Sequence, residues 1–426
     1  MTVTIFIGSL LLAMALGMPI AFSLLVSGAA LMMYLGTFDP QILTQNLVAG
    51  ADSFPLLAVP FFMLAGELMN HGGLSRRIVN FAMAIVGHIP GGLGYVAIIA
   101  ACIMAALSGS AVADAAALAA LLLPMMKEAG HDKARSAGLI ASAGIIAPVI
   151  PPSIGFVIFG VAGGVSISKL FLAGIVPGLL LGASLWFTWW WLVRKENVKP
   201  RPRASKADVF KAFKESTWAL VLPVIVVIGL KFGVFTPTEA AVVAAVYALV
   251  ISLFVYKELT IKSVLPVFKA AAKTTSVVMF LVAAAMVSAW LITVANVPAQ
   301  IVSLLQPLMD SPTLLLIAIM LLTMFVGTAL DMTPTILLLT PVLMPVVKAA
   351  GIDPVYFGVL FIINNAIGLI TPPVGTVLNT VAGVGKVSMD EVTKGVMPFM
   401  IAQFTVMFLM IAFPSLVMVP AKWFAS

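Results

Sequence analysis

The chain has 426 residues, of which 62% are hydrophobic and 9% are charged. Soluble domains carry about 25% charged residues, so this composition excludes a soluble enzyme or binding domain and predicts a helical integral membrane protein. The net charge of +7 does not indicate a nucleic-acid partner, because eight of the 23 Lys and Arg lie in one loop, residues 194–214. A basic loop between apolar spans is typical of the cytoplasmic side of a membrane.

The first 92 residues are predicted to form scaffold spans and an arm helix. Residues 3–36 would make a helix of ~51 Å, longer than the ~30 Å hydrocarbon core. We therefore expect a break at Gly17-Met18-Pro19, within either one kinked span or two short passes. A polar segment follows, residues 54–69 form the next span, and residues 78–86 are expected to lie in the interface plane.

A first transport repeat is predicted over residues 93–169. It begins with an apolar stretch that has Ser108-Gly109-Ser110 at its centre, and each half of this stretch is short for a span. We therefore predict a re-entrant hairpin with its tip at those residues, because non-helical backbone at membrane depth must pack in protein or line a cavity. The helix that follows is predicted to be broken at residues 148–155, where two prolines precede a glycine.

Residues 170–311 are predicted to form scaffold helices, the basic cytoplasmic loop and a second arm. Ser205 is expected to cap a short amphipathic helix that is separate from the span at residues 218–231. Four lysines then recur at helical spacing over residues 257–273. They indicate an arm on the inner surface, followed by an outward span at residues 275–295.

Residues 312–395 repeat the pattern of the first transport repeat. A second hairpin has its tip at Gly327-Thr328, and the helix after it is predicted to be broken at residues 371–375. The motif P-x-x-K-x-A-G-x-D occurs in both repeats and starts at Pro124 and Pro345, 221 positions apart. Two copies of hairpin and broken helix in the same order are typical of a secondary transporter built from internal repeats.

The distribution of basic residues predicts opposite orientations for the two repeats. Lys127, Lys133 and Arg135 mark the exit of the first hairpin, but only Lys348 marks that of the second. This asymmetry places the hairpins on opposite faces of the membrane. Residues 396–426 are predicted to form a C-terminal helix. The expected fold is an all-α polytopic membrane protein with inverted repeats, two re-entrant hairpins and two broken helices.

The hairpin tips and helix breaks are the candidate ion sites. A broken helix exposes carbonyls that can coordinate Na⁺ and amides that can hold a carboxylate. The alternative is tight helix packing, which also favours small residues in membranes. The predicted Na⁺ ligands are Ser108, Gly109, Ser110, Pro148, Gly155, Gly327, Thr328, Asp331, Thr371, Pro372 and Gly375.

No arginine falls at an inferred midplane position, so amides and hydroxyls are expected to hold a substrate carboxylate. Asp114 and Asp331 follow the two tips, where a carboxylate can supply charge for Na⁺ or cap the second helix of the hairpin. Glu67 and Glu239 lie nearer to span ends, where a solvated or capping role is expected. The predicted substrate ligands are Ser110, Asp114, Ser153 and Thr376.

Nothing in the sequence predicts an enzyme or an organic cofactor. No Walker A motif is present, so ATP hydrolysis is not expected. Intramembrane serine proteolysis needs a base, but the histidines lie in inferred loops. One cysteine and three scattered histidines predict neither a disulfide nor a transition-metal site, so Na⁺ is the only metal ion expected.

Three stretches resemble the large membrane subunit of tripartite ATP-independent periplasmic (TRAP) transporters. They are SGSAVAD at 108–114, GIIAPVIPPSIG at 144–155, and residues 331–375, which begin DMTPTILLLTP. The resemblance covers almost the whole chain and implies Na⁺-driven import of an organic acid across the bacterial inner membrane by an elevator mechanism. The organic acids that the family transports include C4-dicarboxylates, sialic acid and other sugar acids. The resemblance also implies two partners, a periplasmic substrate-binding protein and a small four-helix membrane subunit, which we expect as a separate chain.

Two other functions compete with this one. A stand-alone Na⁺/dicarboxylate symporter of the divalent-anion type also has hairpins and broken helices. Such proteins typically carry Ser-Asn-Thr at the tips, whereas this chain has SGS and VGT. A non-transporting membrane scaffold subunit is the other alternative, but it has no reason to place two helix breaks at the midplane.

Overall fold

The computed structural model describes residues 2–194, 196, 198 and 200–425, and over these ranges its regular structure is helical throughout. Helices α1 to α10 are Thr2–Ala15, Ile20–Tyr34, Pro40–Ala51, Ala58–His71, Leu74–Val86, Gly92–Ser108, Ala111–Glu128, Lys133–Gly144, Ile154–Gly163 and Ile167–Val193. Helices α11 to α20 are Lys206–Lys231, Pro237–Val250, Ile261–Val294, Val297–Met309, Pro312–Gly327, Met332–Ala349, Pro354–Gly368, Thr376–Gly385, Met389–Ala412 and Ser415–Ala425. A 3-10 turn, Phe54–Leu57, precedes α4, and a π-helical turn, Ile251–Val255, extends α12.

Both predicted hairpins and both predicted broken helices are present. Gly109, with φ at +61°, joins α6 to α7, and residues 328–331 join α15 to α16. The first broken helix consists of α8 and α9, which are separated by residues 145–153, and the second consists of α17 and α18, which are separated by residues 369–375. In both breaks the peptide bond between the two prolines is cis.

The two repeats interlock through their second half-helices. Helix α9 packs on α16 of the other repeat, and α18 packs on α7. Gly155 in α9 lies against the side chain of Met332 of α16, and Gly385 at the end of α18 lies against the side chain of Leu123 of α7. Each hairpin is therefore held by a half-helix from the other repeat.

Helices α4, α12 and α13 form a wall beside the repeats. Helix α4 packs on both α12 and α13, and α13 also packs on α2, α3 and α16.

The 221-position offset between the repeats relates residues 40–71 to residues 261–292. The first of these segments, α3 with α4, is bent by 54°, whereas the second is part of the single 34-residue helix α13. The division of the chain into transport and scaffold domains stays a prediction.

Two helix ends that were predicted at basic residues are wrong, because in each case the helix continues. Ser205 caps a helix as predicted and forms a capping box with Asp208, but the helix is not short. It continues as α11 to Lys231, through the predicted separate span. The lysine-bearing arm and the span after it likewise form one helix, α13. The physical reason is that a lysine stem lies along apolar surface while its ammonium reaches the interface, so a basic residue does not end a helix.

Three further elements differ from the prediction. The polar segment before the second span is helix α3, whose N-cap is Asp39. Helix α14 occupies a stretch for which no element was predicted. The single C-terminal helix is two, α19 and α20, which are separated at Phe413-Pro414 because proline ends the run of helical hydrogen bonds. At the N-terminus, Gly17, with φ at +82°, separates α1 from α2, and the two short helices pack against each other.

A charged cluster joins the turn between α7 and α8 to the segment after α10. His131 Nδ1 lies 2.9 Å from Glu196 Oε2, and Arg135 Nη1 donates to Glu196 Oε1 at 3.1 Å. We refer to these three residues as the Glu196 cluster. Burial raises the pKa of Glu196, but the hydrogen bonds and charges of its two basic partners outweigh burial and hold the pKa below its usual value. The Glu196 carboxylate is therefore a negative charge that ties the basic loop to the first repeat.

Candidate functional site

Both hairpin tips meet at one cavity of about 470 Å³, which we call the tip cavity. The first repeat contributes the tip Ser108-Gly109-Ser110 together with Pro148 and Ile154, and the second contributes Asp331, Met332, Thr333 and Leu369. The opposite side is formed by α4 and α13, with Met63, Gly66, Glu67, Asn70, Ala271, Thr274 and Val278. The cavity therefore lies between the interlocked repeats and the wall of α4 and α13.

The first tip rests directly on the first helix break. A Cβ built on Gly109 would lie 2.5 Å from the carbonyl oxygen of Pro152 and 3.2 Å from Cα of Ser153. Only glycine fits here, because the space is closed and φ is in the left-handed region. This contact positions the backbone of the tip and the backbone of the break as one unit.

Asp114 organises the first tip from behind. Its Oδ1 accepts a hydrogen bond of 2.5 Å from Ser108 Oγ, and Ser108 Oγ in turn accepts one of 3.2 Å from the amide of Ser110. Ser110 Oγ caps α7 by accepting from the amide of Ala113 at 3.4 Å. Asp114 is 1% exposed and does not line the tip cavity. The predicted carboxylate is thus in contact with the tip but faces away from the space where a substrate would sit.

Ser153 fixes the first helix break in a similar way. Its Oγ donates to the carbonyl oxygen of Pro148 at 2.5 Å and accepts from the amide of Phe156 at 3.2 Å, which caps α9. Ser153 is fully buried, and Gly155 packs against α16, so of the predicted residues in this break Pro148 is the one that lines the cavity. Ser153 therefore positions Pro148.

Asp331 lines the tip cavity from the second repeat and caps α16. Its Oδ1 accepts from the amide of Met332 at 2.9 Å and from Thr376 Oγ1, at the start of α18, at 3.4 Å. The carboxylate therefore joins the second tip to the second helix break. Its charge is also stabilised by the amide groups at the start of α16.

The other predicted residues of the second repeat lie around the tip but outside the cavity lining. Gly327 and Gly368 bring the backbones of α15 and α17 together, because a Cβ on Gly368 would lie 3.1 Å from the carbonyl oxygen of Gly327. The hydroxyls of Thr328 and Thr371 each donate to a carbonyl of their own helix, at 2.8 Å, which leaves their oxygen lone pairs available. Pro372 and Gly375 belong to the break, where Gly375 has φ at +48°.

Sequence reasoning missed the polar side chains on the wall of α4 and α13. Glu67, expected to be solvated or capping, lines the tip cavity together with Asn70 and Thr274. The His71 ring, with Nδ1 3.5 Å from Glu67 Oε2, is the ionisable partner of this carboxylate. An ionisable group within an apolar span is a functional candidate by default, and Glu67 carries that signal, but its position near the inferred end of the span favoured a solvated or capping role.

Two adjacent buried carboxamides, Asn364 and Asn365, were also missed. Asn364 Nδ2 donates to the carbonyl oxygen of Met320 at 2.7 Å and to Thr323, which fastens α17 to α15. Among the described residues, neither Oδ1 atom has a hydrogen-bond partner. A pair of carboxamides in an apolar span just before a helix break was the signal available in the sequence.

The electrostatics of the tip cavity are set by two carboxylates, Glu67 and Asp331. None of the described residues that line it is a lysine, arginine or histidine. Carboxylate, hydroxyl and carbonyl oxygens are ligands for hard cations. An anion entering this space would be repelled unless cations enter with it.

Comparisons with known proteins agree with this architecture. The family description "Tripartite ATP-independent periplasmic transporter, DctM component" matches residues 7–416. The chain belongs to this family of TRAP transporter large permeases. It is a multi-pass protein of the bacterial inner membrane, as predicted.

Two relatives cover nearly the whole of this TRAP permease. The 2,3-diketo-L-gulonate TRAP transporter large permease protein YiaN of Escherichia coli is 57% identical over 423 residues, 99% of this chain and 100% of the relative. The sialic acid TRAP transporter large permease protein SiaM of Vibrio cholerae is 40% identical, with 93% of each chain covered. The crystal structure of the Alcanivorax borkumensis YdaH transporter shares the fold, with a TM-score of 0.64 and 14% identity over 90% of this chain and 88% of that one.

Proposed function

We propose that this TRAP permease imports an organic acid by symport with Na⁺. The observation that carries the proposal is the tip cavity, where two hairpin tips and two helix breaks converge on two carboxylates without a basic side chain among the described lining residues. Cations must offset Glu67 and Asp331 before an anion can bind stably beside them. A coupling ion would thus be a requirement of substrate binding.

The Na⁺ ligands in this proposal lie at the two tips. At the first tip they are the oxygens of Ser108, Gly109 and Ser110 with the break at 148–155. At the second tip they are Gly327, Thr328 and Asp331 with the break at 371–375. The second set is supported by the hydrogen bond between Asp331 and Thr376, because a cation bound there would bridge the hairpin and the broken helix. Ion binding would then stabilise the closed contact between tip and break.

The substrate class that we propose is a sugar acid, which has a carboxylate and several hydroxyls. The relative with 57% identity is named for 2,3-diketo-L-gulonate. In the tip cavity, Asn70 and Thr274 offer amide and hydroxyl groups for the hydroxyls of such a molecule. The carboxylate of the substrate would be held by tip amides, including that of Ser110, which is the predicted substrate ligand that lines the cavity, and by the Na⁺ ions themselves.

We further propose an elevator mechanism, a separate small membrane subunit and a periplasmic binding protein that delivers the substrate. The interlocked packing of α9 on α16 and α18 on α7 supports an elevator, because it makes both hairpins and both breaks parts of one body. That body would carry the tips and breaks that form one side of the tip cavity along the wall of α4 and α13. A tip cavity placed between the two would open to one side of the membrane at a time.

Uptake into proteoliposomes tests this function. The chain is reconstituted with its small subunit, labelled sugar acids and C4-dicarboxylates are offered, and an inward Na⁺ gradient is applied with and without the binding protein. Asp331→Asn is compared with Asp353→Asn, a matched control, because Asp353 caps α17 away from the cavity. Asparagine caps a helix as well as aspartate does, so both variants should keep their folds.

The expected result is uptake of a sugar acid only with Na⁺ and the binding protein, and loss of that uptake in Asp331→Asn but not in Asp353→Asn. Uptake without the binding protein would favour a stand-alone symporter. Unchanged Na⁺ dependence in Asp331→Asn would remove this carboxylate from the ion site. Absence of uptake from folded protein, for every acid offered, would contradict the proposal as a whole.

A further inference from the structure

A groove of about 810 Å³ lies between α5 and the start of α11, and it shares no lining residue with the tip cavity. Its apolar floor is formed by Phe81 and Ile85 of α5 and by Phe210 and Phe213 of α11. The rings of Phe81 and Phe213 are in contact, with centroids 5.7 Å apart. Phe210 remains 68% exposed, so the groove presents an aromatic surface that nothing in the described chain covers.

Polar groups are concentrated at one part of the same groove. Arg203 and Lys206 line it, and neither forms an ion pair with any described residue. His88 lines it as well, and its Nδ1 is buried without a hydrogen-bond partner among the described residues. The nearby carboxylate of Asp208 is already engaged, since it accepts from the amide and the hydroxyl of Ser205. The groove thus combines an apolar floor with two cations that have no ion-pair partner among the described residues.

The position of the groove favours a lipid as its occupant. Arg203 and Lys206 lie in the basic stretch 194–214, which the distribution of charge places on the cytoplasmic side. Anionic lipid headgroups are concentrated in that leaflet, and basic sites beside membrane helices attract them. A protein helix could cover the aromatic floor, but it would leave the two cations unpaired unless it brought its own carboxylates. A phospholipid supplies the apolar chain and the negative charge in one molecule.

We propose that the α5–α11 groove is a binding site for an anionic phospholipid of the inner leaflet. Arg203 and Lys206 bind the phosphate and the anionic headgroup. The first part of an acyl chain lies on Phe81, Phe210 and Phe213. Because α5 leads into the first hairpin through α6, and α11 packs on α12 in the wall, the lipid bridges two parts of the permease.

Lipid retention by the purified full-length chain tests the site. The chain is reconstituted in nanodiscs of phosphatidylcholine and phosphatidylglycerol with identical acyl chains, and is then extracted in mild detergent for native mass spectrometry. The double variant Arg203→Ala/Lys206→Ala removes the two cations. The control Lys262→Ala/Lys273→Ala removes the same charge from exposed positions on α13. All four side chains are exposed, so neither double variant should disturb the fold.

The unmodified chain should retain phosphatidylglycerol in preference to phosphatidylcholine. Arg203→Ala/Lys206→Ala should weaken that retention by about tenfold or more, since each basic residue near a membrane surface contributes to attraction of anionic lipid. The control should retain it as before. Phe210→Ser, with both cations intact, should reduce retention of either lipid and keep the preference for the anionic one.

Two outcomes would overturn the proposal. One is equal retention of phosphatidylglycerol by the two double variants, which would show that Arg203 and Lys206 do not hold the headgroup. The other is unchanged retention of both lipids in Phe210→Ser, which would show that no acyl chain lies on the aromatic floor of the groove.

Discussion

Replacement of Gly109 by alanine tests the contact between the first hairpin tip and the first helix break. The new Cβ would lie 2.5 Å from the carbonyl oxygen of Pro152, although ordinary contacts at such a position begin at about 3.4 Å. The atoms nearest to the Cβ are backbone atoms of the break, so no side chain can swing away. The tip must therefore lift off the break or distort it.

The magnitude follows from two contributions. A left-handed backbone conformation costs a residue with a Cβ roughly 1–2 kcal/mol, and overpacking against a fixed neighbour costs about 1–3 kcal/mol more. Gly130→Ala isolates the first contribution, because Gly130 has φ at +87° but nothing within 4 Å of its Cβ position. The difference between the two variants in free energy of unfolding should therefore be about 1–3 kcal/mol.

Thermal unfolding of the purified variants measures both effects. Tm is recorded in KCl and over a series of NaCl concentrations at constant ionic strength, in the same detergent. If Na⁺ binds where tip and break meet, Gly109→Ala should need about 5–150-fold more Na⁺ for half of the Na⁺-dependent stabilisation, which corresponds to 1–3 kcal/mol of coupling. Gly130→Ala should keep the Na⁺ dependence of the unmodified chain. Equal Tm values and equal Na⁺ dependence for the two variants would refute the reasoning.

Two further predictions concern packing and pH. Gly395→Ala should destabilise the chain by about 3 kcal/mol or more, because the new Cβ would overlap the Ala134 carbonyl where α19 crosses α8. Gly383→Ala is the control, since nothing lies within 4 Å of its Cβ position. Equal Tm values for the two variants would contradict this prediction. Glu196 has a lowered pKa in the folded chain, so its carboxylate stabilises the fold at any pH above the pKa that Glu196 has in the unfolded chain. This contribution is lost as the pH falls through the lower pKa that Glu196 has in the folded chain. Glu196→Gln should therefore flatten the decline of Tm with acidification, and an unchanged decline would exclude the Glu196 cluster as its source.

The parts of the fold that were predictable are those marked by glycine and proline. Gly109 has to adopt a left-handed conformation, and the two double prolines cannot continue a helix, so tips and breaks are visible as local departures from an apolar helical pattern. The Ser205 cap was predictable for the same reason, since a cap is a short-range interaction. The continuity of α13 was not, because lysines next to an apolar stretch predict the end of a membrane span, whereas the structure has one unbroken helix from Ile261 to Val294.

The composition of the tip cavity could be predicted only in part. Asp331 was identified because it follows a tip directly. Glu67 reaches the same cavity only because α4 packs on α13 with that face turned inward, and the face depends on contacts more than 200 positions away. Asp114 shows the opposite case, because it is next to a tip in sequence but faces the interior. The sequence therefore shows which acidic residues lie near a tip, but only the tertiary structure shows which of their side chains face the tip cavity.

The interlocked repeats also constrain when this protein can fold during synthesis. Helix α7 is complete at Glu128, but its partner α18 begins at Thr376, 248 positions later. At a synthesis rate of about 5–20 residues per second, roughly 12–50 s separate the two helices. During that interval the first hairpin is in the membrane without the helix that will cover α7 around Leu123. A chain truncated before the second repeat would keep this part of α7 exposed, and should be a substrate for membrane quality-control proteases.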